Sequence, residues 1–499
     1  MRFGIFLSVA VFFLLFYGLG SVGLLGPDEP RYAQVAREMA RSGDYITPRL
    51  NREPWLEKPP LYYWLAAASF RLLGVNEWAA RLPAALFGAA FLPLFGWVVG
   101  RLYRGETSRY ALLLLASSAG WFSYSRGASP EILFTASLAG ALAVLALWVW
   151  MGRDTLLFLF YALLALAVLS KGPTAILMAG LVLFVYCLAT REFRWLLRVL
   201  APWPVLVFLV LALPWYVAVY VRSGDRFVED FIIRQHFRRF ATEELAHPGP
   251  WWYYLPILAA LVFPWTAHLS LMVAEAVTRG WSGLRKDPRR VFLLAWIVPV
   301  VAFFSLSKGK LPGYVLVTVP ALAIWMGNQL STVRARWLRW VFLAQAAMFL
   351  LVLPAAQVLP TGLAEGARAA LQALSRLHPD RWLAWLTTAG AVLIVFAAWR
   401  GRRLAACLLA TALMAAALSR VIAVMAPAVD SLASARPLAR LIRQRGIPPS
   451  QLVLMPGVHR TIEYGLGFYL DYPMKLGTAG PYLVTADGRI VPAGPRQGK

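Results

Sequence analysis

The stretch Gly26–Pro60, GPDEPRYAQVAREMARSGDYITPRLNREPWLEKPP, is the longest polar run in the first two hundred positions of the chain. One apolar segment precedes it and many more follow it. Charged side chains crowded between apolar segments either solvate a loop or line a site, and the rest of the chain decides between the two. The charged residues at the two ends of this stretch are Asp28, Glu29, Arg31, Glu57 and Lys58.

The composition is that of a membrane protein. Of the 499 residues, 60% are hydrophobic and 15% are charged, whereas soluble domains have about a quarter charged residues. A chain of this length can hold about a dozen spans of roughly 20 residues each. The net charge of +25 does not indicate a nucleic-acid partner, because the basic residues lie in short clusters between apolar segments, as in the cytoplasmic loops of multispanning proteins.

We predict an all-α membrane protein with about thirteen transmembrane helices. Residues 3–25 form an uncleaved first span, because no clear small-residue cleavage site ends it. The arginine clusters then assign alternate loops to the inner side, so that the loop 26–78 and the C-terminus lie outside. The predicted spans are 3–25, 79–100, 110–124, 131–150, 155–170, 174–189, 201–220, 252–275, 291–306, 312–330, 340–358, 381–399 and 404–426.

The chain divides into a transmembrane domain, 1–427, and a small outer domain, 428–499. In the first outer loop, Pro30–Arg41 and Leu61–Leu73 have the mixed polarity of amphipathic interfacial helices. In the tail, Gln451–Met455 is typical of a short strand. The turn at 486–489 predicts a hairpin between Tyr482–Thr485 and Ile490–Val491. About 70 residues are marginal for independent folding, so this α/β domain is expected to pack on the outer loops.

Several cations are predicted on the outer side, where the positive-inside rule does not explain them. Some can extend to the lipid headgroups as anchors. Their number favours an anionic ligand, and the phosphate of a lipid-linked substrate lies at this depth and is stabilised by Lys and Arg donors. The outer cations close to span ends are Arg126, Lys171, Arg234, Arg238, Arg239, Lys308 and Lys310.

Two acidic positions complete this pattern. Asp28 and Glu29 begin the first outer loop, and Glu131 follows the second outer turn at the mouth of a span. An ionisable residue at that depth is by default a functional-site hypothesis. We therefore expect one outer cavity to hold Asp28, Glu131 and a ring of cations.

Six short motifs follow one another along the chain: DEPRY at 28–32, EKPPLYYW at 57–64, SKG at 170–172, QHFRRF at 235–240, HPGPWWYY at 247–254 and SKGKLPGY at 307–314. Each motif is weak alone, but their order resembles that of lipid-carrier-dependent glycosyltransferases of the GT-C fold. The match is strongest to the bacterial branch that contains the aminoarabinose transferases of lipid A, and protein O-mannosyltransferases are more distant relatives. The resemblance covers about residues 1–330.

The resemblance implies a donor sugar carried on undecaprenyl phosphate or a similar polyprenyl phosphate. Asp28 matches the family's essential aspartate, and Glu131 stands where relatives often carry aspartate, so we assign both to catalysis. The residues that match positions holding the donor phosphate are Lys58, Arg238 or Arg239, and Tyr314. We also assign to substrate binding Glu29, Arg31, Glu57, Lys171, Lys308 and Lys310.

The resemblance also bears on cofactors and location. Glu57 and His236 fall near residues that bind a divalent metal in a relative. Two candidate ligands do not make a zinc site, so zinc is left open and no cofactor is assigned. The resemblance implies a multi-pass protein of the bacterial inner membrane whose active site and C-terminus are periplasmic. We expect a monomer that contacts membrane lipids and no nucleic acid.

The implied reaction is glycosyl transfer. Cations around the phosphate would stabilise the leaving group, and Asp28 would act as general base on a hydroxyl acceptor. With an ionised phosphate as acceptor, Asp28 would instead hold the acceptor or the sugar amine. The resemblance implies transfer of 4-amino-4-deoxy-L-arabinose to lipid A, with a protein or another envelope glycan as the alternative acceptor. A transporter or flippase is the other alternative, but the sequence lacks evident inverted repeats and mid-membrane helix breaks.

Structural roles compete with each of these assignments. Asp28 could be a helix N-cap, because Asp caps helices well. Glu57 and Lys58 could form an exposed ion pair of small energy. The lysines of the SKG and SKGKLPGY motifs could be membrane anchors.

Overall fold

The computed structural model describes residues 1–103, 105–238, 249–358, 381–486 and 488–492, and within these it leaves out the side chains of 236–238 and 352–358. Arg239, which was predicted to bind substrate, lies outside the described residues. His236 and Arg238 are described only by their backbone.

Helices dominate the described chain, as expected where a bilayer forces each backbone polar group to be paired within its own segment. The first half contains α1 (Arg2–Val11), α2 (Asp28–Ser42), α3 (Leu61–Leu73), α4 (Glu77–Leu102), α5 (Thr107–Ser117), α6 (Ala119–Ser125), α7 (Glu131–Met151), α8 (Leu156–Lys171), α9 (Thr174–Thr190), α10 (Arg194–Arg198) and α11 (Pro202–Phe227). π-helical segments extend two of these helices, α1 over Phe12–Phe16 and α11 over Val228–Arg238.

The second half continues the helical bundle. Its α-helices are α12 (Tyr254–Leu261), α13 (Leu269–Leu284), α14 (Pro288–Leu306), α15 (Val319–Thr332), α16 (Ala335–Val358), α17 (Arg381–Trp399), α18 (Arg403–Ala433), α19 (Arg436–Gln444) and α20 (Arg460–Leu470). Short 3-10 helices cover Thr266–His268, Pro312–Thr318 and Pro449–Gln451.

The described residues contain seven helices long and apolar enough to cross a membrane. The number is eight if Tyr254–Leu261 and Thr266–Leu284, which meet at 119°, form one broken span. Three shorter apolar helices are Arg2–Phe16, α8 and α9. The predicted span 110–124 is interrupted at Ser118, whose extended backbone separates α5 from α6. The chain is therefore a multispanning helical membrane protein, and the count of thirteen spans stays a prediction.

The first loop contains the two predicted helices. α3 has the predicted bounds, and α2 begins two residues earlier than expected, at Asp28. The earlier start is favourable because Pro30 suits a first turn and the carboxylates of Asp28 and Glu29 interact well with a helix N-terminus. α2 ends at Gly43, which adopts the left-handed conformation common at helix ends. A short antiparallel pair, β1 (Arg49–Leu50) and β2 (Glu53–Pro54), connects α2 to α3.

Residues 434–492 form a small α/β unit. Its strands β3 (Leu452–Leu454), β4 (Lys475–Leu476), β5 (Tyr482–Val484) and β6 (Ile490–Pro492) make one sheet in the order β4-β3-β5-β6. β3 is parallel to both neighbours, and β5 pairs antiparallel with β6. The predicted strand and hairpin are thus confirmed. The core of this unit includes Ala439, Ile442, Leu452, Leu466 and Val484.

This C-terminal unit packs against the first loop through polar contacts. Arg37 of α2 donates to the carbonyl of Phe468 at 2.8 Å and lies 3.0 Å from the carboxylate of Asp471. The hydroxyl of Tyr469 accepts from the backbone N–H of Leu24 at 2.7 Å and contacts Glu77 at 3.1 Å. The unit therefore fixes the position of α2, which begins at Asp28.

Candidate active site

Glu29 joins the two loops that carry the predicted catalytic residues. It is 8% exposed, and its carboxylate accepts hydrogen bonds from the backbone N–H groups of Leu25 and Ala128, each at 2.6 Å. Arg81 of α4 lies 2.7 Å away and completes a buried ion pair. Because these partners occupy both carboxylate oxygens, we correct the prediction that Glu29 binds substrate. Asp28 directly precedes Glu29 in the chain. The hydrogen bond from Ala128 to Glu29 therefore holds Asp28 near the loop that leads to Glu131.

Asp28 occupies the first turn of α2 and has a largely exposed side chain. It makes no capping hydrogen bond, so the N-cap interpretation is not supported. Its carboxylate instead accepts a hydrogen bond from Arg31 at 2.6 Å, and its side chain remains 62% exposed. The guanidinium of Arg31 is buried and also lies 3.9 Å from the carboxylate of Glu57. The two ends of the opening polar stretch therefore meet at Arg31.

The Glu131 carboxylate lies 2.9 Å from the ammonium group of Lys171. Glu131 is the first residue of α7 and Lys171 the last of α8, so the pair connects two helix ends across a largely buried contact. The Lys171 nitrogen also lies 5.5 Å from the ring centres of Phe134 and Tyr314, within reach of a cation–π interaction. Three of the predicted site residues, two of them from separate motifs and the third at the beginning of α7, thus lie together.

Two buried tyrosines connect this pair to Asp28. Burial, and then the charges of Glu131 and Asp28, raise the pKa of Tyr32 well above its usual value. Burial also raises the pKa of Tyr63, whose phenol interacts electrostatically with Arg31 and with the same two acids. Both phenols are therefore protonated hydrogen-bond donors at neutral pH. The carboxylates of Asp28 and Glu131 therefore both contribute to the electrostatic environment of each tyrosine.

Buried donors without a hydrogen-bond partner surround Arg31. Within the described part of the chain, Nε of Arg31, Nε1 of Trp55 and the hydroxyl of Tyr63 have no partner. The Arg31 guanidinium lies 5.4 Å from the centre of the Trp55 ring and 5.7 Å from that of Tyr464 in the C-terminal unit. Most buried polar groups in folded proteins are hydrogen-bonded. Donors of this kind are suited to the oxygen atoms of a ligand.

The remaining predicted cations have different environments. Lys58 is close enough to Glu131 to interact with its carboxylate, whereas Lys308 is exposed. Lys310 is buried, and its ammonium group donates to the carbonyl oxygens of Ser305 and Ser307 at 2.7 Å each. These carbonyls belong to the end of α14, so Lys310 caps a helix C-terminus. We therefore correct its assignment to substrate binding.

The described side chains form no recognisable metal site. Among the described residues, no three His, Cys, Asp or Glu side chains lie together as metal ligands would. Glu57 supplies one carboxylate, and the side chain of His236 is outside the description. A structural zinc ion takes four ligands and a catalytic one three, so the donors at hand do not fit and no step is derived through a metal.

Sequence reasoning missed Arg81, Tyr32, Trp55, Tyr63 and Tyr464. Tyr32, Trp55 and Tyr63 lie inside or beside the quoted motifs, and their aromatic character beside charged residues was a usable signal. Tyr464 had no such signal, because it lies more than four hundred positions after Arg31 in the chain. Arg81 lies within the predicted apolar span 79–100, and a basic residue inside a span was a signal for a buried ion pair.

The fold and these contacts define the chain as a multispanning membrane protein of the GT-C type, with an acidic first loop joined to the ends of later helices. Residues 57–218 match the family model described as dolichyl-phosphate-mannose-protein mannosyltransferase. The chain is 35% identical, over 329 residues, to the undecaprenyl phosphate-alpha-4-amino-4-deoxy-L-arabinose arabinosyl transferase of Pseudomonas aeruginosa strain PAO1. This match covers 64% of the chain and 58% of that relative. The transferase of the same name from Pectobacterium atrosepticum is 32% identical over 66% of the chain and 60% of its own length.

Solved structures agree with the sequence comparison. The crystal structure of ArnT from Cupriavidus metallidurans bound to undecaprenyl phosphate superposes with a TM-score of 0.78 at 26% identity, covering 95% of this chain and 86% of that chain. An oligosaccharyltransferase from Archaeoglobus fulgidus, 12% identical with a TM-score of 0.51, shares the fold alone. The predicted resemblance to GT-C transferases is confirmed. The matched part of the chain spans about three fifths of the length of the curated relatives.

Proposed function

We propose that this chain is an integral membrane glycosyltransferase that moves 4-amino-4-deoxy-L-arabinose from undecaprenyl phosphate to lipid A. The observation that carries the proposal is the contact of the Glu131 carboxylate with Lys171, whose ammonium group also lies beside the Tyr314 ring. The relatives named as arabinosyl transferases support the choice of sugar. The undecaprenyl phosphate bound in the Cupriavidus metallidurans structure supports the choice of carrier.

The site residues suit the departure of a phosphate. In the reaction, the bond between the anomeric carbon of the sugar and the carrier phosphate breaks, and the phosphate leaves with the electron pair. Lys58 and Lys171, with Arg238 or Arg239, would neutralise the charge that develops on it. The phenol of Tyr314 lies beside Lys171 and would donate to the same phosphate. Preorganised donors of this kind replace a general acid.

Asp28 is the side chain that would act on the acceptor or on the sugar. Its exposed carboxylate lies at the head of α2, beside a buried arginine and protonated phenols. A lipid A phosphate is already ionised and attacks the anomeric carbon without losing a proton, so Asp28 would hold the cationic amine of the sugar. A hydroxyl acceptor must lose its proton, and Asp28 would then accept it.

The topology completes the proposal. We infer about thirteen crossings, with the first loop, the site and the C-terminal unit on the periplasmic side of the inner membrane. The arginine-rich loops between later spans support this orientation. The transmembrane domain, 1–427, would carry the reaction, with the loop 26–78 as its catalytic part, and residues 428–499 would brace that loop from outside. We expect the chain to act as a monomer.

The alternative acceptor is a protein or another envelope glycan. The family match at residues 57–218 favours the protein, as in the mannosyltransferases for which that family is described. Mass spectrometry of lipid A from cells with and without the gene separates lipid A from these alternatives. We expect lipid A from gene-containing cells to carry the mass of one or more aminoarabinose units. An unchanged lipid A, with a glycosylated envelope protein that disappears with the gene, would establish the alternative.

A further inference from the structure

A second polar cleft lies between the first loop and the C-terminal unit. It has a volume of about 390 Å³. Arg37 of α2 reaches this cleft, and at about 1.5 Å per residue it lies roughly 13 Å along the helix from Asp28. The cleft is therefore separate from the candidate active site but attached to the same helix. Its charged lining residues are Arg37, Glu77, Arg436, Arg440, Arg443 and Asp471.

The two acids of the cleft are already neutralised. Glu77 lies 3.1 Å from Arg436, which also pairs with Asp430 at 2.8 Å. Asp471 lies 3.0 Å from Arg37 and is paired further with an arginine outside the lining. Four arginines against two acids leave the cleft with a positive excess. An anion entering it would not meet an uncompensated carboxylate.

The excess charge lies on one helix face. Arg436, Arg440 and Arg443 are spaced four and three residues apart on α19, so their side chains project from the same side. Ala439 and Ile442 of the same helix are buried in the core of the C-terminal unit. Within the described residues, Arg440 and Arg443 form no ion pair, and Arg443 donates to the carbonyl of Tyr469. Like charges in a row repel one another, and a bound anion would remove that cost.

Apolar side chains border the arginines. Val75 lines the cleft itself and is 45% exposed. Next to it, Leu72 is 82%, Leu73 47% and Trp78 38% exposed, where the chain enters the apolar helix α4. Tryptophan is enriched at membrane interfaces. A ligand with a phosphate headgroup and acyl chains would satisfy both parts of this surface.

We propose that the arginine cleft binds a phosphate of the acceptor lipid, distinct from the phosphate that receives the sugar. This inference rests on the proposed function, because it requires a glycolipid acceptor with two phosphates on a disaccharide. One phosphate would lie at the Asp28–Glu131 site and the other on Arg440 and Arg443. Guanidinium groups bind phosphate oxygens bidentately. The cleft would thus select the acceptor and set which phosphate is modified.

A binding measurement tests this without requiring transfer. The full chain in detergent is titrated with diphosphorylated lipid A, with monophosphorylated lipid A, and with vesicles of phosphatidylglycerol. The variant Arg440→Gln/Arg443→Gln removes both cations, and Arg440→Lys/Arg443→Lys keeps the charge. Arg445→Gln is the matched control, because Arg445 is exposed at the end of the same helix but does not line the cleft. Thermal unfolding checks that every variant is folded.

We expect the Gln variant to bind diphosphorylated lipid A about tenfold or more weakly than the unchanged protein. The reason is that the variant loses the hydrogen bonds between the guanidinium groups and the charged phosphate. The Lys variant should recover part of this affinity, and Arg445→Gln should match the unchanged protein. Binding of monophosphorylated lipid A should change less than threefold. Equal losses for lipid A and phosphatidylglycerol would make the cleft a general anionic-lipid site and overturn the acceptor assignment, as would no loss at all. If the protein shows these differences in binding but transfers no sugar, the proposed function is contradicted and the phosphate site in the cleft is not.

Discussion

Glu131 and Lys171 form an ion pair of 2.9 Å between the beginning of one apolar helix and the end of the next. The pair is mostly buried, with side chains 21% and 14% exposed. It brings a carboxylate and an ammonium group from two separate loops next to Tyr314. A buried pair of this kind orients both partners.

We predict that Glu131→Gln lowers sugar transfer by about a hundredfold or more, because it frees Lys171 to change its position relative to the phosphate. Lys171→Met should have a similar effect. The double variant should lose little more than either single variant, since both remove the same interaction. The transfer rate of purified protein in vesicles measures this. Losses that simply add in the double variant would contradict the pairing.

We predict that Glu29→Gln destabilises the folded protein by about 3–5 kcal/mol, because it leaves Arg81 buried without its charge partner. Unfolding followed by circular dichroism in detergent measures the change. The matched control is Asp230→Asn, which breaks the exposed pair between Arg226 and Asp230 at 3.6 Å; exposed pairs contribute about 0.2–1 kcal/mol. Equal effects of the two substitutions would show that Glu29 does not join the loops.

We predict that the C-terminal unit loosens from the first loop at acid pH. The hydrogen bond from Arg41, together with Arg37, holds the pKa of Asp471 below its usual value of 3.8, against the effect of burial. A carboxylate with a lowered pKa in the folded state contributes stability above its unfolded pKa and loses it as the pH falls through the folded value. Docking through Asp471 should therefore be intact at pH 7 and should weaken as the pH falls below 3.8 and through the folded pKa.

Asp471→Asn isolates this contribution. Asp471 adopts a left-handed backbone conformation with a φ of 56°, which Asn also tolerates, so the substitution removes the charge without adding backbone strain. The melting temperature of the variant should be lower than that of the unchanged protein at pH 7, and the difference should shrink as the pH falls through the folded pKa of Asp471. A difference that stays constant across this range would assign it to something other than titration of Asp471.

Local features of the structure followed from the sequence. The bounds of α3, the strand β3 and the β5–β6 hairpin each depend on periodicity and turn residues within a short segment. The ordered motifs also identified Lys171 and Tyr314, and the family resemblance identified Glu131; these three residues lie together. Their proximity could be expected only through the family resemblance, since nothing in their spacing specifies it.

Long-range contacts account for what the sequence did not predict. Glu29 and Lys310 were predicted to bind substrate. In the structure Glu29 pairs with Arg81, which lies 52 positions away in the chain. Lys310 binds carbonyl oxygens whose position depends on where α14 ends. The break at Ser118 arises because this residue takes an extended backbone and its hydroxyl bonds to the carbonyl of Leu115. Hydropathy alone treats that segment as continuous.

The measurement that tests the central claim most directly is donor binding and sugar transfer by Asp28→Asn. The claim is that Asp28 acts on the acceptor or the sugar while separate cations hold the carrier phosphate. Glu53→Gln is the matched control, because Glu53 is exposed in the same loop. We expect Asp28→Asn to lower transfer by about a hundredfold or more, with the Kd for undecaprenyl phosphate within about threefold of the unchanged protein. Transfer by Asp28→Asn at the rate of the unchanged protein would contradict the account.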